Sequence, residues 1–310
     1  MEHKLMKKIS KLYDWTLSKL FYNDLPKDWI PDKTYLKWVY RVKIGRNLHL
    51  KNPKTFTEKV QWLKIYDRRP EYTTMVDKYA VKKYVADKIG EQYVIPTLAG
   101  PFKHFDEIDF DALPEQFVLK TTHDSGGIAI CKDKSAFDKE AAKKKLEEHL
   151  KNRHWKKWRE WAYKDVPPQI IAEKYMSDGS LTTDGEEQLT DYKIFCFNGK
   201  PSMIFIATDR FSKEEETKFD FFDMDGNHLP FKNVHPHADP LPKMPKSLPE
   251  MKVLAEKLSE GITQCRVDFY EIGGRIYFGE VTMYHYAGLT ALSPDEWDYK
   301  IGEMIELPKK

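Results

Sequence analysis

Two acidic residues late in the chain, Asp268 and Glu280, lie on opposite arms of a candidate hairpin whose turn is Gly273-Gly274. Hard oxygen donors of this kind suit a nucleotide-bound Mg²⁺ ion, which commonly takes one or two carboxylates and fills its octahedron with phosphate and water. Side chains alternate faces along a strand, so loop length decides whether the two acids can meet. A two-residue loop pairs Asp268 with Gly279 and turns Glu280 to the other face. A three-residue loop, Ile272 to Gly274, pairs Asp268 with Phe278 and Arg266 with Glu280. Arg266, Asp268, Glu280 and Thr282 then share a face. Such loops need a glycine in the left-handed region, and two are on offer. The metal reading therefore requires an odd loop. Without it these are solvated charges on a surface ribbon.

A second group surrounds Lys120, which ends the apolar run Phe117-Val118-Leu119 and is followed by Thr121-Thr122-His123-Asp124-Ser125-Gly126-Gly127. A lysine leaving a strand can neutralise phosphate as a point charge. A small Gly-rich turn can offer backbone N–H groups to phosphate oxygens and close over them. The P-loop pattern GxxxxGK[ST] is absent, and by itself the run reads equally as an ordinary turn. A third group is Ala172-Glu173-Lys174-Tyr175-Met176 followed by Asp191-Tyr192-Lys193. Its strand end can present backbone groups to an adenine edge, with Asp191 accepting from ribose hydroxyls. It can also be a plain strand with charged ends.

These groups need elements to hold them. Val81, Tyr84, Val85 and Ile89 predict a helix from Asp77 that stops at Gly90. Strands are expected at Tyr93 to Leu98, Phe117 to Thr122, Ile128 to Cys131 and Ile170 to Tyr175, with a loop from Ser177 to Gln188. Ser135 with Asp138 predicts a capping box opening a helix through Leu150, and Trp155, Trp158 and Trp161 predict one buried helix face. Hairpins are expected at Asn198-Gly199, Asp225-Gly226 and Gly273-Gly274, with a Pro-rich surface excursion between Pro236 and Pro249. Ser247 with Glu250, and Ser293-Pro294-Asp295-Glu296, predict capped helices near the end. Hairpins alternating with helices give an α+β fold with antiparallel sheets.

Composition narrows the class. The chain has 310 residues, 41% hydrophobic and 14% aromatic, enough for a large core. Lys plus Arg is 51 and Asp plus Glu is 49, a net charge of +2 that gives no nucleic-acid footprint. Three scattered cysteines form neither a disulfide framework nor a metal knuckle. No apolar run is long enough for a membrane span, and residues 1–21 lack a signal-peptide core. The expectation is a soluble, cytoplasmic protein. Leu5, Ile9, Leu12, Thr16 and Leu20 share a helix face. The lysines around them could touch an anionic membrane, but docking on the protein's own body is the plainer reading.

The order of the pieces is more specific than any one of them. Lysine strand, Gly-rich turn, Ile-Ile-Ala-Glu-Lys-Tyr strand, Asp191, then Arg-x-Asp and Glu-x-Thr resembles the ATP-grasp superfamily, in its TupA-like branch associated with bacterial surface polysaccharide synthesis. Further segments carry the likeness: Asn52 to Lys64, Val76-Asp77-Lys78-Tyr79-Ala80-Val81, Phe195-Cys196-Phe197-Asn198-Gly199-Lys200, Arg266 to Tyr270 and Trp297-Asp298-Tyr299-Lys300. The resemblance implies a helical region over residues 1–75, an N-lobe over 76–172 and a C-lobe over 173–310, with ATP sandwiched between two α+β lobes. It implies phosphate contacts from Lys120 and Lys78, a phosphate loop at Ser125, Gly126 and Gly127, and an adenine hinge at Glu173, Lys174, Tyr175 and Met176. Asp191 becomes the ribose acceptor and Asp268 and Glu280 the Mg²⁺ carboxylates. Arg266 stands beside the transferred phosphate, catalytic together with Lys120.

Two departures stand out. Thr282 replaces the usual Asn as third metal ligand, and Tyr284-His285-Tyr286-Ala287-Gly288 replaces a Pro-Gly-rich turn. Asp209, Arg210 and His285 are the candidates for the acceptor side. The implied activity is ATP-dependent ligation of a carboxylate to an amine through an acyl phosphate, on a sugar acid. Competing readings are a sugar or polyol kinase, a non-catalytic nucleotide binder, and a glycosyltransferase using a DxD pair at Asp223-Met224-Asp225 or Asp109-Phe110-Asp111.

Overall fold

The computed structural model describes residues 27–210 and 212–309. The expected basic helix over residues 5–20 lies outside them. Among the described residues no helix is long and apolar enough to cross a membrane.

The chain opens with α1 (Asp32–Ile44), α2 (Phe56–Tyr66) and α3 (Glu71–Val76). Tyr35, Leu36, Val39 and Tyr40 recur at helical spacing on α1 and bury against Trp62, Leu63 and Leu289. At α2, Thr55 and Glu58 form a reciprocal capping box that satisfies two otherwise unpaired donors. Next comes α4 (Ala80–Ile89), which ends at Gly90 as its spacing predicts. The strand expected over Tyr93 to Leu98 is displaced. Glu91–Tyr93 is a 3₁₀ turn, and β1 runs Thr97–Phe102. Pro96 has no N–H to give the ladder, so pairing with β4 begins at Thr97, opposite Glu173, and shifts register before Ala99 and again before Phe102.

A four-stranded antiparallel sheet follows, in the order β1, β4 (Ile170–Lys174), β2 (Phe117–Thr121), β3 (Ile128–Cys131). It is covered by α5 (Lys139–Lys151), which buries Ala142 and Leu146 against Phe117, Leu119 and Ile170. The helix starts later than the expected Ser135 box. Asp133 claims the Ser135 N–H and hydroxyl, and Asp138 caps α5 through the Ala141 N–H at 2.9 Å. The tryptophan stripe is not one buried helix face either. The short α6 (His154–Trp158) is ended by Arg159 in the left-handed region, so Trp155, Trp158 and Trp161 are only half-buried.

The larger antiparallel sheet is ordered β11 (Arg275–Thr282), β10 (Gln264–Ile272), β5 (Asp191–Phe197), β6 (Lys200–Thr208), β7 (Lys218–Asp223), β8 (His228–Leu229). Asn198 and Gly199 both take positive φ, as the tight β5–β6 turn demands. One face carries Ile194, Cys196, Ile204, Ile206, Val267 and Val281 and packs on Met251, Leu254, Ala255 and Leu258 of α7 (Leu248–Ser259). The expected Ser247 cap is absent, because its hydroxyl donates to Glu271 at 2.5 Å. A two-stranded ladder joins β9 (Lys232–Asn233) to β12 (Leu292–Ser293), just before α8 (Glu296–Glu303). Asp295 makes no side-chain cap there and pairs with Arg46, so that second expected box is also missing. The sheet's other face carries the charged residues of the candidate site.

Candidate active site

The last hairpin has a two-residue turn, since Ile272 pairs with Arg275 across Gly273-Gly274. The three-residue loop is thus corrected. The acids nevertheless meet, because Phe269 pairs with Phe278 while Asp268 pairs with Glu280. Gly279 is the extra residue, a β-bulge that resets the parity. Arg266, Asp268, Glu280 and Thr282 consequently share the face expected of them, with Arg266 opposite Thr282. Lys193 stands opposite Asp268 on the neighbouring strand.

That register makes a tight ionic cluster. Arg266 holds Asp268 through Nε to Oδ1 at 2.6 Å and Nη2 to Oδ2 at 2.7 Å, and Nη2 also reaches Glu280 at 3.2 Å. Lys193 Nζ lies 2.5 Å from Asp268 Oδ2 and 3.1 Å from Asp191 Oδ1, and Arg210 pairs with the other Asp191 oxygen. Burial opposes the charge on Asp268, but Arg266 and Lys193 outweigh it and bring its pKa down to about 2. Burial also disfavours the Arg266 cation, which Asp268 and Glu280 hold above its ordinary pKa. Asp268 is fully buried, whereas the Glu280 side chain is 40% exposed and accepts from the Thr282 hydroxyl at 3.3 Å.

His285 sits behind this cluster. Its Nδ1 is 2.8 Å from Arg266 Nη1 and its Nε2 is 3.1 Å from Asn233 Oδ1. Arg266 can only donate, so Nδ1 accepts and Nε2–H donates to Asn233, which fixes a neutral tautomer. Burial and the Arg266 charge push its pKa well below the usual value.

The small sheet contributes the opposite wall. Glu173 is buried and bridges Lys120 at 2.6 Å and Lys82 at 2.6 Å. Burial works against its ionisation, but the two lysines prevail and keep its pKa below the ordinary one. Lys78 donates to the Asp124 carbonyl at 2.5 Å. In the turn after β2, Ser125 and Gly126 are exposed and Gly126 has φ 93°. Gly127 is buried so closely that a Cβ would lie 1.9 Å from Thr121 Oγ1. Glycine is obligatory there.

Between the sheets lies a cavity of about 1130 Å³, lined by Lys78, Lys82, Lys120, Ser125, Gly126, Gly127, the segment Glu173 to Met176, Asp191 and Glu280. A second cavity of about 650 Å³ shares Lys78, Ser125, Lys193, Arg210 and Glu280 with it. This one adds Arg266, Thr282, His285, Tyr286 and His235. Nearly every sequence-predicted site residue therefore converges on one connected space. Asp268 lines neither cavity and lies beneath Lys193 and Arg266. Asp209 also lines neither, and instead accepts the Thr183 N–H at 2.7 Å, tethering the loop between β4 and β5. The DxD runs are consumed locally: Asp223 accepts from Asp225 and Asn227 in the turn, and Asp109 from Asp111.

The chain matches the TupA-like ATP-grasp family model over residues 58–306. It belongs to that family. No curated protein matches the sequence. Similar solved structures include D-alanine–D-alanine ligase from Helicobacter pylori, with 14% identity, TM-score 0.45, and 83% of this chain and 68% of that one covered. L-amino acid ligase from Bacillus licheniformis gives 12% identity, TM-score 0.41 and coverage of 82% and 53%. N5-carboxyaminoimidazole synthase from Aspergillus clavatus gives 14%, 0.40, and 73% and 47%. The chain thus spans about half to two thirds of the length of these structures.

Lys82, Asn233 and Gly279 are absent from the residues the sequence singles out as a site, and Lys193, which stands in the group around Asp191, has no role assigned to it there. Lys193 carried a usable signal, lying two residues from Asp191 on one strand face. So did Gly279, since a glycine inside a strand marks a bulge.

Proposed function

We propose that this TupA-like ATP-grasp enzyme is an ATP-dependent carboxylate–amine ligase acting on a sugar acid in bacterial surface polysaccharide synthesis. One observation carries the reading: the two cavities join at Lys193, Arg210 and Glu280, so a nucleotide in the first would present its terminal phosphate to an acceptor in the second. The first has the walls a nucleotide needs, with Lys120 and Lys78 for phosphate, Gly126 and Gly127 for backbone donation, and Tyr175 and Met176 for the base. Asp191 would accept from the ribose. The second is rich in cations, including Arg210 and Arg266, which suits an anionic acceptor. We also propose a division into a helical region, an N-lobe over residues 76–172 and a C-lobe over 173–310; the pairing of β4 with β1 and β2 alone, within the small sheet, supports a boundary near its end.

The donor set on the hairpin fits Mg²⁺: two carboxylates and a hydroxyl, all hard oxygens on one sheet face. Glu280 and Thr282 would hold the ion from the cavity side, and Asp268, whose oxygens Arg266 and Lys193 occupy, would join them only by exchanging those partners. When bound it would supply neutralisation of phosphate charge. Arg266, fixed by Asp268 and His285, is aimed along the Glu280 side of the junction, where it can stabilise charge on the transferring phosphoryl group. Lys120 does the same from the opposite wall. An acceptor carboxylate oxygen attacks the terminal phosphorus while the bond to ADP breaks. An amine then attacks the acyl carbon, inorganic phosphate leaves, and the amine loses a proton to water. The chain's own contribution is alignment in a closed space, without a covalent enzyme nucleophile.

Incubation with ATP, Mg²⁺ and pooled uronic acids and amino compounds, followed by mass spectrometry, tests the reading. A new amide with one ADP per bond is expected. A phosphate ester formed without any amine would replace ligation by sugar phosphorylation.

A further inference from the structure

We propose that Asp220, His228 and His237 form a metal site of the zinc type, separate from the nucleotide and acceptor cavities. One donor atom from each lies within 4.8 Å of the others. His228 Nε2 is 3.3 Å and His237 Nδ1 is 3.1 Å from the same oxygen, Asp220 Oδ1. Donors held tetrahedrally at zinc distances stand roughly 3.3–3.4 Å apart, so these separations need little adjustment. The Phe219 carbonyl oxygen, 3.0 Å from His237 Nδ1, or a water would complete the set.

The chemistry of the ligands selects the ion. Two imidazoles with one carboxylate suit zinc and its neighbours, whereas Mg²⁺ and Ca²⁺ want oxygen alone. Asp220 is fully buried, and among the described residues its ion-pair partners are these two histidines. A dication held between this buried carboxylate and the two imidazoles would offset the cost of burying its charge. The remaining Asp220 oxygen accepts the Ala238 N–H at 3.1 Å, the outer bond that orients a ligating carboxylate.

None of the three residues lines either cavity, so the ion would serve structure and not catalysis. The ligands come from three successive pieces of chain, of which β7 and β8 pair as strands and the Pro-rich excursion meets β7 at Phe219 and Asp220. Pinning His237 fixes the stretch before it, where the Phe219 N–H meets the Pro236 carbonyl at 2.9 Å. That stretch includes His235, which walls the second cavity, and leads back to Asn233, which holds the His285 ring. The metal would therefore stiffen one wall of the acceptor space from behind the sheet.

The test uses untagged full-length protein, stripped with chelator and titrated with Zn²⁺ and with Co²⁺. One tight equivalent of Zn²⁺ is expected, and Co²⁺ should give the intense visible bands of a four-coordinate site. His228→Gln and His237→Gln should each weaken Zn²⁺ at least tenfold, while Glu280→Gln leaves Zn²⁺ affinity unchanged. Both rings are partly exposed, so these variants should fold; if one does not, the other and the wild-type Co²⁺ spectrum decide. Absence of a four-coordinate Co²⁺ spectrum, or Zn²⁺ affinity indifferent to both histidine variants, would overturn the site and leave a hydrogen-bonded cluster.

Discussion

Asp268 stands directly opposite Glu280 across the last hairpin, although the two-residue turn alone would put them on opposite faces. Gly279 supplies the missing step. Its absent side chain also matters, since a Cβ there would come within 3.1 Å of the Asp268 carbonyl and 3.2 Å of the Tyr270 ring. Gly279→Val, which crowds the bulge and favours an extended residue, should restore a regular ladder, set position 279 opposite Asp268 and turn Glu280 to the other face. Nucleotide turnover is expected to fall by at least about 100-fold. Circular dichroism and a thermal melt should show a protein still folded, which separates lost register from lost structure.

Thr282 donates to Glu280 at 3.3 Å and offers the third oxygen of the hairpin. Thr282→Val keeps the shape and removes the hydroxyl. The Mg²⁺ concentration for half-maximal turnover should rise about tenfold, as for removal of a ligand's hydrogen-bonding support. Thr282→Asn should lower it or leave it unchanged. A Mg²⁺ titration at saturating ATP reads both.

Lys120 and Lys82 share the Glu173 carboxylate, so the three act as a unit. Lys120→Met leaves Lys82 to hold Glu173 and is expected to preserve the fold. It should raise the KM for ATP roughly 10- to 100-fold, the worth of one charge-assisted phosphate contact. Glu173→Gln leaves two half-buried cations without their anion and should cost about 3 kcal/mol in urea unfolding.

His285 carries a pH signature. Its folded pKa is depressed, so as pH drops below about 6.5 the unfolded chain binds a proton that the folded chain refuses. Stability from this residue is therefore present above that pH and lost below it, by at most about 1.4 kcal/mol per pH unit. His285→Gln should destabilise the protein at pH 7.5, and the gap to wild type should narrow by about 1 kcal/mol at pH 5.5. Urea unfolding at the two pH values measures it.

Much of this molecule could be read from residue order. Asn198-Gly199, Gly90 and the 3.6-residue spacing of α4 and α7 act over a few residues, and local steric rules are enough to place them. The same holds for the lysine strand and the Gly-rich turn, whose chemistry is carried by neighbours in sequence. The misplaced caps at Ser135 and Ser247 show where that locality ends, because Asp133 and Glu271 compete for the same hydroxyls. One of those competitors lies 24 residues away. Hairpin parity is the sharpest case. The sequence by itself determined that two acids, an arginine and a threonine flank a glycine turn, and by family likeness which fold they serve. Only the tertiary structure decided that they meet, because one bulged residue inverts every face beyond it. It alone also set Lys193 between Asp191 and Asp268, since cross-strand register depends on pairing between strands more than 70 residues apart.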